Sequence, residues 1–296
     1  MRTAVTALAA AGLLAGCAPA PDQTGLDVTA DVVSPVAKDE AIAALLPPEV
    51  RDSGVLKFGS SIGGPPAAFY LPDNTTAVGL DVDIADAVGR VLGVRVERQE
   101  ASFEAILPAL GSGKFQVGTG NFGVTEERKK TIDFVTYVDD GQGFAVRRDS
   151  DLPPVTDVVQ LCGLTIGTGA GTTFESTLNA QQHRCAEAGR PPYQVQVFKE
   201  RSANYSALQQ GKVDVVMNTI NGLHHATSQQ PNLRYLNDFR RLDVGFALAK
   251  GSPLAPALQA AVDKLIADGS YQRILRKWGV EPSAIPRSQI SPPELR

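Results

Sequence analysis

The sequence predicts an α/β protein of two lobes, each a mostly parallel sheet flanked by helices. Three observations carry this. The chain has 296 residues, more than one ordinary core accommodates. From Gly54 to Val117, short apolar runs alternate with helical stripes in a β-α-β-α rhythm. Asp149-Ser150-Asp151-Leu152-Pro153-Pro154 then interrupts the pattern, and a second, smaller α/β unit begins.

In chain order, residues 1–16 read as a signal segment, with Arg2, an apolar run over 4–14, and Leu14-Ala15-Gly16-Cys17. The run is too short to span a bilayer. Small residues before Cys17 suit cleavage ahead of a thiol that becomes lipid-modified; a frayed apolar N-terminus is the alternative. Residues 17–50 are rich in Pro, Asp, Thr and Ala and read as a tether, with a short helix over 41–50. Gly54-Val55-Leu56-Lys57-Phe58-Gly59 is the first strand. Ile84, Ala85, Val88, Val91 and Leu92 then share one helical stripe that Gly93 stops. Residues 94–96 alternate as a strand, Ser102 caps a helix that turns Phe103, Ile106, Leu107 and Leu110 inward, and 115–117 is the next strand. After Phe134 the chain crosses 137–142 into a strand over 143–146.

The second unit has strands over 164–167, 195–198 and 213–217 and a helix over 203–210. Gly169-Ala170-Gly171 opens another helix, where Thr172 and Glu175 have capping-box spacing. Residues 244–249 form a return strand, and Ser252-Pro253 caps a helix carrying Leu258, Ala261, Val262 and Leu265. A last helix places Ile274, Leu275 and Trp278 in the core, and the tail from Glu281 is polar and Pro-rich.

Composition narrows the function. There are 28 basic and 32 acidic residues, a net charge of −4, and no basic stripe that would suit nucleic acid. Of three cysteines, Cys17 is the lipid acceptor, which leaves Cys162 and Cys185 as an even pair suited to a disulfide in an exported protein, or to two buried thiols. His183, His224 and His225 lack metal-ligand spacing, and no nucleophile elbow is present, so the reading carries no metal, no cofactor and no catalytic residue.

The most informative stretch is Gly118-Thr119-Gly120-Asn121-Phe122-Gly123-Val124-Thr125-Glu126-Glu127-Arg128, read as a loop of small residues and a helix start. Thr125 is an N-cap, and Arg128 one turn later can point back at the loop, where its planar fork and nearby backbone amides suit a carboxylate. A surface turn followed by a solvated charged helix fits the same spacing. The loop over 167–173 lacks the lysine of a P-loop and the third glycine of a dinucleotide fingerprint. What remains is a helix N-terminus open to a small anion, or a plain capped helix.

These pieces together resemble the extracytoplasmic solute-binding proteins of family 3, which serve polar amino-acid ABC importers. The resemblance covers roughly 50–280 and rests on Gly79-Leu80-Asp81-Val82-Asp83-Ile84, Leu107-Pro108-Ala109-Leu110, Thr125-Glu126-Glu127-Arg128, Gly171-Thr172-Thr173, Gly211-Lys212-Val213-Asp214 and Lys277-Trp278. It implies a periplasmic-binding-protein-like fold with lobe 1 over 51–145 and 246–287, lobe 2 over 146–245, two hinge strands and a tail over 288–296. It implies a monomeric, lipid-anchored receptor outside the cytoplasm that closes on a carboxylate-bearing solute and delivers it to an ABC permease.

Carried over by position, the resemblance implies that Arg128 holds the carboxylate with help from Thr172 and Thr173. It further implies that Asn121, Gly123 and Thr125 lie at the ligand loop, and that Phe103 and Phe69 form apolar walls. Thr219 stands where many relatives have an acid for the ligand ammonium. The expected ligand therefore lacks an ordinary α-ammonium, or has one met by Glu200, Asp139 or Asp140. An exported enzyme on the same fold, of the cyclic-acid dehydratase kind, is the competing reading. Without a convincing acid–base pair in the cleft, the expectation is a binding protein.

Overall fold

The computed structural model describes residues 25–295, so the expected signal segment and Cys17 lie outside the described residues. Short helices α1 (Glu40–Ala43) and α2 (Pro48–Ser53) lead into β1 (Val55–Ser60). A small hairpin, β2 (Phe69–Tyr70) and β3 (Ala77–Val78), precedes α3 (Leu80–Leu92), β4 (Arg95–Glu100), α4 (Phe103–Gly111), β5 (Val117–Gly123) and α5 (Glu126–Lys129). Strand β6 (Ile132–Arg147) then leaves the first lobe. The second lobe holds β7 (Thr165–Gly169), α6 (Thr173–Gln181), α7 (His183–Glu187), β8 (Gln194–Phe198), α8 (Arg201–Gln209), β9 (Val215–Thr219) and α9 (Ile220–Gln229). Strand β10 (Leu233–Ala249) returns to the first lobe, which α10 (Ala255–Ala267) and α11 (Ser270–Lys277) complete.

One eight-stranded sheet runs through both lobes in the order β4-β1-β5-β10-β6-β9-β7-β8. The outer strands are parallel within each lobe. The two long strands pair antiparallel from Ile132↔Ala249 to Arg147↔Leu233 and form the connection between the lobes. The sequence reading broke this strand at 137–142, but Asp139-Asp140-Gly141-Gln142 lies inside β6. Gly141 makes the close pairing possible: its φ is 144°, and a Cβ there would fall 2.1 Å from the Arg240 carbonyl oxygen. The small residues from Gly118 to Gly123 likewise form β5, not a loop, because β1 and β10 pair with them on either side.

Each lobe buries apolar side chains on both sheet faces. In lobe 1, α3, α10 and α11 pack Ile84, Val88, Leu258, Leu265 and Trp278 against Phe58 and Phe246. The α4 side buries Ile106 and Leu110 against Phe122 and Phe134. Fully burying one such side chain contributes about 1.5–3 kcal/mol. In lobe 2, Phe174, Leu178 and Met217 fill one face, and Tyr205, Leu208 and Leu223 the other. Cys162 and Cys185 form a disulfide with Cα atoms 5.7 Å apart, tying the start of the lobe to α7.

The terminal segments differ from expectation. The described part of the expected tether packs on lobe 1: Val36, Leu46 and Val50 enter its core, and Arg90 donates to the Val36 carbonyl at 3.2 Å. The tail over 288–296 is also bound, over its described residues. It runs along the β6 edge that β9 leaves unpaired in lobe 1, where Thr136 N–H donates to Gln289 O at 3.0 Å and Ser291 N–H to Phe134 O at 2.9 Å. The α10 cap is Leu254, not Ser252-Pro253. Among the described residues, no helix is long and apolar enough to cross a membrane.

Candidate functional site

A cavity of about 500 Å³ lies between the lobes, at the carboxyl ends of the parallel strands of both. Strands β4, β5, β7, β8 and β9 each lead into a helix, which turns the connecting side chains and helix N-termini toward one space. Ser61, Phe103, Asn121 and Arg128 line it from lobe 1, and Thr172, Thr173, Arg201, Asn204 and Thr219 from lobe 2.

Arg128 is held by local chemistry. Thr125 caps the four-residue helix α5 by accepting the Arg128 backbone N–H at 3.2 Å. The guanidinium carbon sits 5.7 and 5.8 Å from the ring centroids of Phe103 and Phe122, which stack on each other at 4.6 Å. Arg128 donates to Gly123 O at 3.0 Å and, across the cleft, to Gly171 O at 3.3 Å. Burial alone brings its pKa down to about 10, and among the described residues no carboxylate lies within ion-pair distance of it. A half-buried cation satisfied only by carbonyls is suited to an incoming anion.

The opposite wall is formed by α6 and α9. Thr172 Oγ accepts the Glu175 N–H at 3.2 Å and donates to Gly169 O at 2.7 Å, so its hydroxyl is committed to the cap. The expected capping box is altered: Glu175 accepts from Gly171 N–H, one residue before the cap. Thr173, first in α6, lines the cavity. Thr219 does too, while its hydroxyl accepts Gly222 N–H at 3.1 Å to cap α9.

Behind this surface lies a buried polar network. Asn121, in the left-handed region at φ 57°, donates its backbone N–H to Asp81 at 3.0 Å and its side-chain amide to Asp140 at 2.8 Å. Asp81 also accepts the Tyr137 hydroxyl at 2.7 Å, and Asp140 accepts the Asn221 N–H at 3.1 Å. Burial raises both carboxyls to about 6, against these hydrogen bonds and the nearby Arg201 charge.

Of the expected site residues, Phe103, Asn121, Gly123, Arg128, Thr172, Thr173 and Thr219 come together around the cavity. Thr125 stays outside it and acts through the α5 cap. Phe69 is corrected: its ring packs edge-on against Trp278 at 5.9 Å in the lobe 1 core, because the β2–β3 hairpin folds toward α11. Of the suggested acids only Glu200 reaches the cavity; Asp139 lies 3.8 Å from Arg241, and Asp140 is behind Asn121. Ser61, Glu100, Glu104, Arg201 and Asn204 were missed, although all follow or closely precede a predicted strand or helix end. Among the described residues, no group of three His, Cys, Asp or Glu is placed to hold a metal.

The family model for bacterial extracellular solute-binding proteins, family 3, matches residues 56–281. The chain is 28% identical over 253 residues to the arginine-binding protein ArgT of Corynebacterium glutamicum, covering 84% of this chain and 82% of that one. An ancestral arginine-binding protein bound to arginine superposes with a TM-score of 0.69 at 31% identity, over 76% of this chain and 98% of that one. An ancestral amino-acid-binding protein described as a precursor of cyclohexadienyl dehydratase superposes at 0.66 with 25% identity, over 78% and 97%. With that match across most of its length, on a two-lobed sheet with an interlobe cavity, the chain belongs to the bacterial extracellular solute-binding proteins, family 3.

Proposed function

We propose that this protein is the lipid-anchored receptor of an ABC importer, closing its lobes over an amino acid or related small polar carboxylate. The observation that carries the reading is Arg128, stacked on two rings, bonded to backbone oxygens of both lobes and lacking a carboxylate partner among the described residues. A ligand carboxylate that accepts from it would join the two walls. Thr219 caps α9 and has no charge, so a ligand ammonium would depend on the cavity carboxylates Glu100, Glu104 or Glu200. Thermal-shift titration with the L-amino acids and their des-amino analogues tests the ligand class. Stabilisation by a carboxylate recovered unchanged supports a receptor; a hit converted to product supports the dehydratase-like alternative. Anchoring through Cys17 predicts that Cys17→Ala is released from the membrane fraction, and a variant that stays membrane-bound overturns it.

A further inference from the structure

We propose that Asp140 is a positioning residue for ligand capture, its carboxylate tying the cavity-lining Asn121 of lobe 1 to the first turn of α9 in lobe 2. This rests on the receptor reading above.

The geometry is specific. Asp140 lies in β6 where that strand passes between the lobes, paired with Leu242, and it is fully buried. One carboxylate oxygen accepts from Asn121 Nδ2 at 2.8 Å and the other from Asn221 N–H at 3.1 Å. The second donor is an otherwise orphan amide at the positive end of α9, where an anion is favoured. That same turn carries Thr219, which lines the cavity, and Asn221 also accepts the Ser283 hydroxyl of lobe 1 at 3.0 Å. Asp140 thus sets the spacing between one residue of each cavity wall without being part of the cavity.

Asn121 needs such support. It is a non-glycine residue at positive φ, held by Asp81 on its backbone and by Asp140 on its side chain. Protonating Asp140 turns one oxygen into a donor that faces an N–H, which weakens one of the two amide contacts and with it the bridge. The titratable and charged groups facing it are Asp81 on α3, Tyr137 on β6, Arg201 and Tyr205 on α8, and Tyr235 and Arg241 on β10.

The sign separates positioning from plain stability. Burial raises Asp140 and Asp81 to about 6, above their unfolded range. The folded state therefore takes up protons first, and the stability these groups contribute is present at low pH and lost as pH rises through about 6. Ligand affinity should move the other way, falling as pH drops through the same window and the bridge weakens.

The test uses the full chain with L-arginine as probe, by calorimetry from pH 5 to 8, and amide NMR of the ligand-free protein. Wild type should lose at least tenfold in affinity between pH 7.5 and 5. The Asn221 backbone amide and Asn121 side-chain amide should shift together with one inflection near pH 6. Asp140→Asn should bind at least tenfold more weakly at pH 7.5, with no inflection at Asn221 and only the pH dependence that Asp81 contributes through the Asn121 backbone. Asp81→Asn should keep the Asn221 inflection. Should L-arginine fail to bind wild type, the choice of ligand falls and the NMR titration alone decides the role of Asp140. Amides that ignore pH in wild type, or an Asp140→Asn protein with wild-type affinity and pH profile, overturn the proposal.

Discussion

The two cavity walls contain the same device with different consequences. In lobe 1, Thr125 accepts the N–H of Arg128 at 3.2 Å; in lobe 2, Thr172 accepts the N–H of Glu175 at the same distance. The capped residue in lobe 1 is itself the cation that faces the cavity, on a helix of only four residues. In lobe 2 the capped residue turns away to Gly171 N–H, and the helix runs nine residues over buried Phe174 and Leu178. Where a helix is too short to hold itself, its cap sets the direction of a functional side chain. Where tertiary packing holds the helix, the same cap adds only stability.

The largest expected difference between the walls concerns charge. Removing one partner of a buried, hydrogen-bonded charge pair costs about 2–5 kcal/mol, so Arg128→Ala should weaken ligand binding tens-fold to thousands-fold by calorimetry. Arg128→Lys should recover little, because an ammonium cannot bond Gly123 O and Gly171 O while presenting a planar fork to a carboxylate. Unchanged affinity in a folded Arg128→Ala protein would mean the carboxylate is held elsewhere.

A second contrast concerns covalent support, which the Cys162–Cys185 disulfide gives to lobe 2. The bond closes a separation of 23 residues, worth about 3 kcal/mol in the chain-entropy model. Replacing both cysteines by serine should lower the denaturant midpoint accordingly, with affinity changed less than threefold once the protein is folded. A variant with wild-type stability would show that lobe 2 packing already constrains this region.

The legible parts of the molecule were the local ones. Thr125 and Thr172 announce their caps because capping involves four adjacent residues, and the stripe Ile84, Val88, Val91 could be read because helix periodicity is intrinsic. Strand β5 was cut short at Val117 because Gly118, Gly120 and Gly123 carry no strand preference; β1 and β10 impose the pairing. The long strands were cut for a related reason, since Asp139-Asp140-Gly141-Gln142 has turn composition and becomes strand only where two lobes meet. Asn121, Gly123, Arg128 and Thr173, expected through the family resemblance, line the cavity, whereas Arg201 and Asn204 come to it through tertiary placement of α8.

The smallest contrast tests the caps themselves, and it is the sharpest. Losing a threonine cap costs about 0.5–2 kcal/mol. Thr172→Ala should appear mainly as stability, because its hydroxyl is already spent on Glu175 and Gly169. Thr125→Ala should appear mainly as affinity, because α5 has little packing of its own. Its other supports come from the C-terminal strap, where Glu126 N–H donates to Glu294 at 2.7 Å, Glu294 N–H donates back at 3.1 Å, and Lys129 donates to Pro292 O at 2.9 Å. These contacts are partly exposed and fix the ends of the helix, but none fixes the Arg128 amide. With Thr125 removed, the helix should stay docked while the guanidinium loses its orientation. Thermal denaturation and calorimetry on both variants decide it: a few-fold to about thirtyfold loss of affinity with little change in midpoint is expected for Thr125→Ala, and the reverse for Thr172→Ala. Equal losses of stability in both would show that α5 is held by its cap in the same way as α6, and the distinction between the walls would fall.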